Sequence, residues 1–330
     1  MLISVIHLEM LMLKRKMYVV LIVILLILSA TMVYADNSEK EQGATGTQPD
    51  RLAEILDRGT LVVAINTDLA SDFMINNETI RVPESKCSDQ QYAENQVTGY
   101  DVEVGSHIAQ ELGVDSCYVP TQSDELNSGE WGDKWDYYTD FYMTNDRMKW
   151  LYFTQPIFSV ASSFYIRSNN TNISSVSDLS GKKIGVYVQS AQSNYLNNNL
   201  SMVGDITDNQ VKNPEVIEYF GYTAAINDLV SGNIDAILLP QTEMNNRIAN
   251  GTPITELKPY AFTGYSGIAV EKGNGTYAVS FVEKLNEIIQ KMHRDGIFSA
   301  LFIKEYNEDM TSVAQKFDIS SLHQFNESSS

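Results

Sequence analysis

Ser177-Asp178-Leu179-Ser180-Gly181-Lys182-Lys183-Ile184-Gly185-Val186-Tyr187-Val188 is a polar turn that runs into a short apolar strand, and Gln189-Ser190-Ala191 then opens a helix carrying Tyr195 and Leu196. A brief apolar run bounded by turn residues is the signature of a buried strand. Downstream the pattern repeats. Val216-Ile217-Glu218-Tyr219-Phe220 reads as a strand, Tyr222 to Val230 as a helix closed by Gly232, and Ile234 to Leu239 as a further buried strand. Strands alternating with helices predict an α/β layer fold. Upstream, Leu61-Val62-Val63-Ala64-Ile65 is a buried strand, and Val102, Val104, Ile108, Ala109 and Leu112 recur at helical spacing until Gly113 ends the helix. Cys117-Tyr118-Val119 follows as a second strand, and a long polar insert from Asn76 to Val97 lies between the first strand and its helix.

Two α/β modules are therefore predicted, and two apolar extended stretches, Ser162 to Ile166 and Gly267 to Val270, flank the second. If both are crossings, the second module is inserted into the first, which is how a hinged clamp is built. After the second stretch comes the clearest amphipathic helix, with Phe281, Val282, Leu285, Ile288, Ile289 and Met292 on one face and Gly296 behind it.

The chain's beginning has a different character. Lys14-Arg15-Lys16 precedes an apolar run from Tyr18 to Leu28 and the small-residue ending Val33-Tyr34-Ala35, the pattern of an export signal. The alternative is an uncleaved anchor, since the run extended to Tyr34 approaches the length that spans hydrocarbon. Either way the body lies outside the cytoplasm. The expected layout is an export signal or anchor at 1–35, a tether at 36–50, lobe 1 at 51–163 and 265–318, lobe 2 at 164–264, and a disordered tail at 319–330.

A net charge of −19 argues against binding nucleic acid or an anionic membrane face, and 43% hydrophobic residues suffice for packed cores. The membrane is met only through the N-terminal segment, if that is retained. Cys87 and Cys117 are the only cysteines; in an oxidising compartment they either close a disulfide or remain two thiols, one in a loop and one in a strand. His7, His107, His293 and His323 are scattered, so no metal or nucleophile–base constellation is visible and no cofactor is implied. Asn-x-Ser/Thr triplets at Asn77, Asn169, Asn172, Asn199, Asn250, Asn274 and Asn326 are either glycosylation acceptors or chance in an Asn-rich chain.

In order along the chain, three motifs resemble the extracellular solute-binding proteins of family 3, the amino-acid-binding group with the two-lobe type II periplasmic binding fold. Gly99-Tyr100-Asp101-Val102-Glu103-Val104 is similar to the family's Gly-Phe-Asp-Val-Asp-Leu helix. Met143-Thr144-Asn145-Asp146-Arg147 with Leu151-Tyr152-Phe153-Thr154-Gln155-Pro156 is similar to its Thr-x-x-Arg and Phe-(Ser/Thr)-x-Pro-Tyr signature. Ser177 to Val186 followed by Leu229 to Ala236 supplies the third.

The resemblance implies that Arg147 pairs with a ligand α-carboxylate through its guanidinium fork, against the alternative of a surface arginine paired with a nearby acid. It implies that Thr144 adds donors to the same carboxylate. Ser190 falls where the family has a threonine at a helix start, with Gln189 in place of the usual glycine; a ligand contact and a plain helix cap both fit. The family's acid for the ligand ammonium is replaced by Pro240 and then Gln241, Phe73 is the aromatic that remains after the first strand, and Asp140 or Tyr142 is a candidate to supply polar contacts. The dense aromatics Trp131, Trp135, Tyr137, Tyr138, Phe141, Tyr142 and Trp150 are either a cage for a cationic group or ordinary core packing.

By this resemblance the protein is not an enzyme: it captures an amino acid or similar small carboxylate between its lobes and delivers it to the permease of an ABC importer. The alternatives are a dehydratase of cyclic carboxylates on the same fold, for which Asp140 or Glu243 is the candidate acid or base, and an anchored or orphan receptor for a small ligand.

Overall fold

The computed structural model describes residues 50–67, 74–76, 79–132, 134–273 and 277–322. The export segment 1–35, Phe73, the triplets at Asn77, Asn274 and Asn326, and residues 323–330 lie outside the described residues.

The strands in chain order are β1 (Thr60–Asn66), β2 (Met74–Ile75), β3 (Tyr92–Ala93), β4 (Val97–Thr98), β5 (Asp115–Thr121), β6 (Tyr137–Tyr142), β7 (Leu151–Phe153), β8 (Phe158–Arg167), β9 (Lys183–Tyr187), β10 (Gly204–Ile206), β11 (Glu215–Tyr219), β12 (Ala236–Pro240) and β13 (Ile254–Glu271). The main sheet runs β11-β9-β12-β8-β13-β6-β1-β5-β3. Apart from edge strand β3, which is antiparallel to β5, its two wings are parallel: β1 pairs with β5 from Thr60↔Asp115 and with β6 at Val63↔Tyr137, while β9 pairs with β11 and β12. Between the wings lie β8 and the 18-residue β13, antiparallel to each other.

These two strands contain both stretches read as crossings. The pairing of β13 slips register between Leu257 and Phe262 against β8, and between Gly267 and Ala269 against β6. Register shifts bend a strand, so β13 turns as it passes from one wing to the other.

The cores follow the same division. One pair of apolar clusters is drawn from residues 55–160 and 268–306, and from 62–153 with Ala269. The other pair is drawn from residues 164–262. In the first half, helix Tyr100–Leu112 stops where Gly113 takes φ 74°, its N–H reaching Ala109 O and Gln110 O. Helix Val279–Arg294 buries the stripe its periodicity predicts, Phe281 to Met292, and each such side chain contributes roughly 1.5–3 kcal/mol. In the second half, helix Ala191–Leu196 packs into one cluster and helix Tyr222–Ser231 into the other, so this wing of the sheet is covered on both faces.

Some expected limits move. Asp50 does not belong to the tether: its carboxylate caps helix Arg51–Arg58 by accepting from Ala53 N–H at 2.9 Å. Residues 319–322 are not disordered; they form a short 3-10 helix, Ile319–Leu322, behind Asp318, which accepts from Ser320 N–H at 3.0 Å. Cys87 and Cys117 are joined as a disulfide that fastens the polar insert to β5. Among the described residues no helix is long and apolar enough to cross a membrane.

Candidate functional site

Parallel strands place their carboxyl ends along one edge, where ligand crevices form in open α/β sheets. Asn66 ends β1, Tyr142 ends β6, Tyr187 ends β9 and Pro240 ends β12, and all four line one cavity of about 70 Å³ between the halves. The first half adds Ser123, Asn127, Tyr138, Asp140, Phe141 and Arg147; the second adds Gln189, Ser190, Gln192, Tyr222, Thr242 and Glu243. Across the gap the hydroxyls of Ser123 and Tyr187 are hydrogen-bonded, and Ser123 Oγ also accepts from Asn66 Nδ2 at 2.8 Å.

Arg147 begins the 3-10 turn Arg147–Lys149 just beyond β6. Thr144 fixes the turn, its Oγ1 accepting from Arg147 N–H at 3.2 Å. The half-buried guanidinium lies 3.5 Å over the Phe141 ring. Nη1 donates to Tyr142 O at 3.2 Å and Nη2 to Asn127 Oδ1 at 3.0 Å. No described carboxylate forms an ion pair with it, so part of its donor fork remains for an anion. Burial lowers its pKa to about 10, opposed by Tyr138, Asp140, Tyr142 and Tyr222, so it stays charged at neutral pH.

Asp140 accepts from the Ser266 hydroxyl. Burial pushes its carboxyl above the usual range, while Ser266 and Arg147 pull it back. Behind it Asp101 is fully buried with neither oxygen hydrogen-bonded; desolvation first, then the charge of Asp140, drives its pKa well up. Tyr142 shares its hydroxyl with Ser162 Oγ at 3.3 Å, and Gln192 Nε2 donates to the same Ser162 oxygen at 2.9 Å. Desolvation also pushes the Tyr142 phenol up.

The remaining expected residues divide. Ser190 is on the wall, but its hydroxyl donates to Tyr187 O at 2.6 Å and accepts from Ser193 N–H at 3.1 Å, which is cap duty. Gln189 lines the cavity at φ 54°, a left-handed conformation in which glycine costs least. Thr144 is buried beside Arg147, outside the lining; its amide donates to Tyr142 O at 2.9 Å. Gln241 turns away, donating to Glu256 Oε1 at 3.1 Å, while Pro240, Thr242 and Glu243 face the cavity. The aromatic group splits as well: Trp131, Trp135 and Trp150 pack on one another with ring centroids 5.7 and 6.0 Å apart, and Tyr138, Phe141 and Tyr142 reach the cavity.

Asn66, Ser123, Asn127, Tyr187 and Tyr222 escape a reading of the sequence. For Asn66 and Tyr187 the available signal was position, each being the last residue of a parallel strand.

Two α/β halves joined by two long strands, with a charged cavity between them, define a ligand-binding protein of the type II periplasmic binding fold, its second lobe inserted into its first. The chain belongs to the bacterial extracellular solute-binding proteins, family 3, whose model matches residues 86–308. It is 26% identical over 221 residues to the L-cystine-binding protein TcyJ of Escherichia coli (strain K12), covering 66% of this chain and 77% of that protein. In three dimensions it resembles a P235GK mutant of ArgBP from T. maritima, with a TM-score of 0.61 at 20% identity over 78% of this chain and 100% of that one. It also resembles the ancestral amino acid-binding protein AncCDT-1, a precursor of cyclohexadienyl dehydratase, with a TM-score of 0.60 at 21% identity over 77% and 99% of the two chains.

Proposed function

We propose that this solute-binding protein captures an amino acid or a similar small carboxylate outside the cytoplasm and presents it to the permease of an ABC importer. Lobe 1 comprises residues 51–163 and 265–318, lobe 2 residues 164–264, and the hinge lies in β8 and β13. The observation that carries this is Arg147: a charged guanidinium on the cavity wall, stacked on Phe141 and without an acid partner among the described residues. A carboxylate docking there recovers the charge-assisted hydrogen bonds that burial has denied it. Contacts made with both walls at once favour the closed form by their differential affinity.

In this reading Thr144 and Asn127 position the arginine, Tyr142 and Gln192 give polar edges, and Tyr187, Ser190 and Gln189 form the opposite wall. Relatives at 26% and 25% identity are named for binding L-cystine and L-arginine, which supports an amino acid as the class of ligand. Thermal unfolding of the purified body with a panel of amino acids and carboxylates tests it: one member raises the melting temperature of the parent and not of Arg147→Ala. Equal shifts in both proteins reject the assignment of the carboxylate.

A second reading rests on Asp140 and Glu243, two carboxyls on the wall of the same cavity, the groups a dehydratase of cyclic carboxylates would use for proton transfer. Turnover of prephenate or arogenate by the purified protein would establish it, and inertness toward both leaves capture alone.

A further inference from the structure

We infer that segment 200–206 of the second half is a strap that positions Arg147, so that the turn carrying the cavity's guanidinium is held from both halves. The inference rests on the reading of Arg147 given above and adds to it an element that does not line the cavity. Strand β6 leaves the edge of β13 at Tyr142↔Ser266, and β10 takes over the same edge from Gly204↔Gly264 to Ile206↔Phe262. At the junction the two chains pair with each other. Asn145 N–H donates to Ser201 O at 2.8 Å, Val203 N–H donates to Met143 O at 3.0 Å, and Thr144 bridges Met202 in the antiparallel sense. The Asn145 side-chain amide also donates to Ser201 Oγ. These residues immediately precede the Arg147 turn, whose first N–H is held by Thr144 Oγ1 at 3.2 Å.

Packing ties the segment to both halves. Leu200 and Met202 pack against a cluster of the second half, while Val203 packs against a cluster of the first. Two glycines let it lie close on β13. A Cβ on Gly204, at φ 140°, would meet Thr263 O at 2.1 Å, and one on Gly264 would meet Met202 Cε at 2.1 Å and the Tyr142 ring at 2.8 Å. The strap thus links the halves in addition to β8 and β13, and it does so at the strand end whose carbonyl, Tyr142 O, accepts from Arg147 Nη1. A binding group works only when its support fixes its geometry. Displacement of the second half is passed to the Arg147 turn through main-chain hydrogen bonds, and the guanidinium is aimed at a carboxylate only while the strap is in place.

Hydrogen exchange and calorimetry on the purified protein test this. In the parent the amides of 143–149 and 201–203 are expected to be protected together, exchanging about 100-fold or more slowly than free peptide; free exchange at 143–149 overturns the inference without any variant. Val203→Pro removes the donor to Met143 O and is expected to speed exchange at 143–149 at least about tenfold while helix Val279–Arg294 keeps its protection. Binding is read with the common L-amino acids and L-cystine as probes. The probe that binds the parent is expected to lose about tenfold in affinity in Val203→Pro and about threefold in Asn145→Ala, which keeps every backbone bond. In an Arg147→Ala background the same substitutions are expected to change its residual affinity less than about twofold, a dependence that a merely structural strap would not show. Parent affinity in both strap variants overturns the inference, and so do equal losses with and without Arg147. If Arg147→Ala binds as the parent does, or no probe binds the parent, the carboxylate reading fails instead, and the exchange pattern still decides whether the strap holds the turn.

Discussion

Arginine meets aspartate at both ends of β6, with opposite results. At its start Asp136 is wholly buried, with Arg58, Arg51 at 3.3 Å and the Val62 N–H at 2.8 Å all donating to it. Beyond its far end the Arg147 guanidinium has only a carbonyl, an amide oxygen and an aromatic face, while nearby Asp140 is held by a serine hydroxyl. The first arrangement is closed: every charge is answered within the chain, and it binds the helix before β1 to the strand after it. The second is open: among the described residues no carboxylate forms an ion pair with Arg147, and its guanidinium lines the cavity. Saturated buried charges serve structure, whereas an unsaturated one with access to solvent serves recognition.

The largest effect that sharpens this contrast is on stability. Asp136→Ala leaves two guanidinium groups without their acid and is expected to cost about 3–5 kcal/mol in urea unfolding; a loss below about 1 kcal/mol would show that the bracket is ornamental. Next, Arg147→Ala is expected to weaken the captured solute about 100-fold, near 3 kcal/mol, while unfolding free energy moves by less than about 1 kcal/mol. A reversal of these two outcomes would break the distinction altogether.

The pH dependence gives a smaller effect. Asp140 has a raised pKa while Arg147 stays charged. As pH falls through the raised Asp140 value the local field becomes more positive, so a solute carboxylate that is still ionised binds more tightly. Asp140→Asn should hold that tighter binding at all pH values. Calorimetry at several pH values checks it, and a slope that survives in the variant refutes the assignment.

Smallest is Asp101→Asn. The folded-state pKa of Asp101 lies above its ordinary 3.8, so the unfolded chain loses its proton first and stability falls as pH rises from about 4 toward the folded value. Removing the charge is expected to recover about 1 kcal/mol at pH 7–8 and nothing below about pH 4. Parallel melting curves of parent and variant across that range would expose a contrary trend.

Much of the fold was legible because its signals are local. The apolar run Leu61–Ile65 sits inside β1, Gly113 and Gly232 end their helices in left-handed conformations, and the stripe from Phe281 to Met292 is buried as its spacing predicts. A motif rather than periodicity singled out Arg147, which lines the cavity. Gln241 shows where such reading fails: it follows Pro240 in the chain, yet helical geometry turns its side chain toward Glu256 and brings Glu243, two residues and just over half a turn later, to the cavity. Density alone left the tryptophans open between a cage and core packing, and they pack in the core.

Composition, charge and the alternation of strand and helix were written in the order of amino acids, because each depends on neighbours a few positions away. Which strand ends oppose one another, that Tyr187 meets Ser123, and that Glu243 faces the cavity Arg147 lines were decided by two long strands folding back between the halves. Those relations join residues 64 and 96 positions apart, and no periodic pattern specifies contacts at that range; only the closed geometry of the sheet and its crossings brings them together.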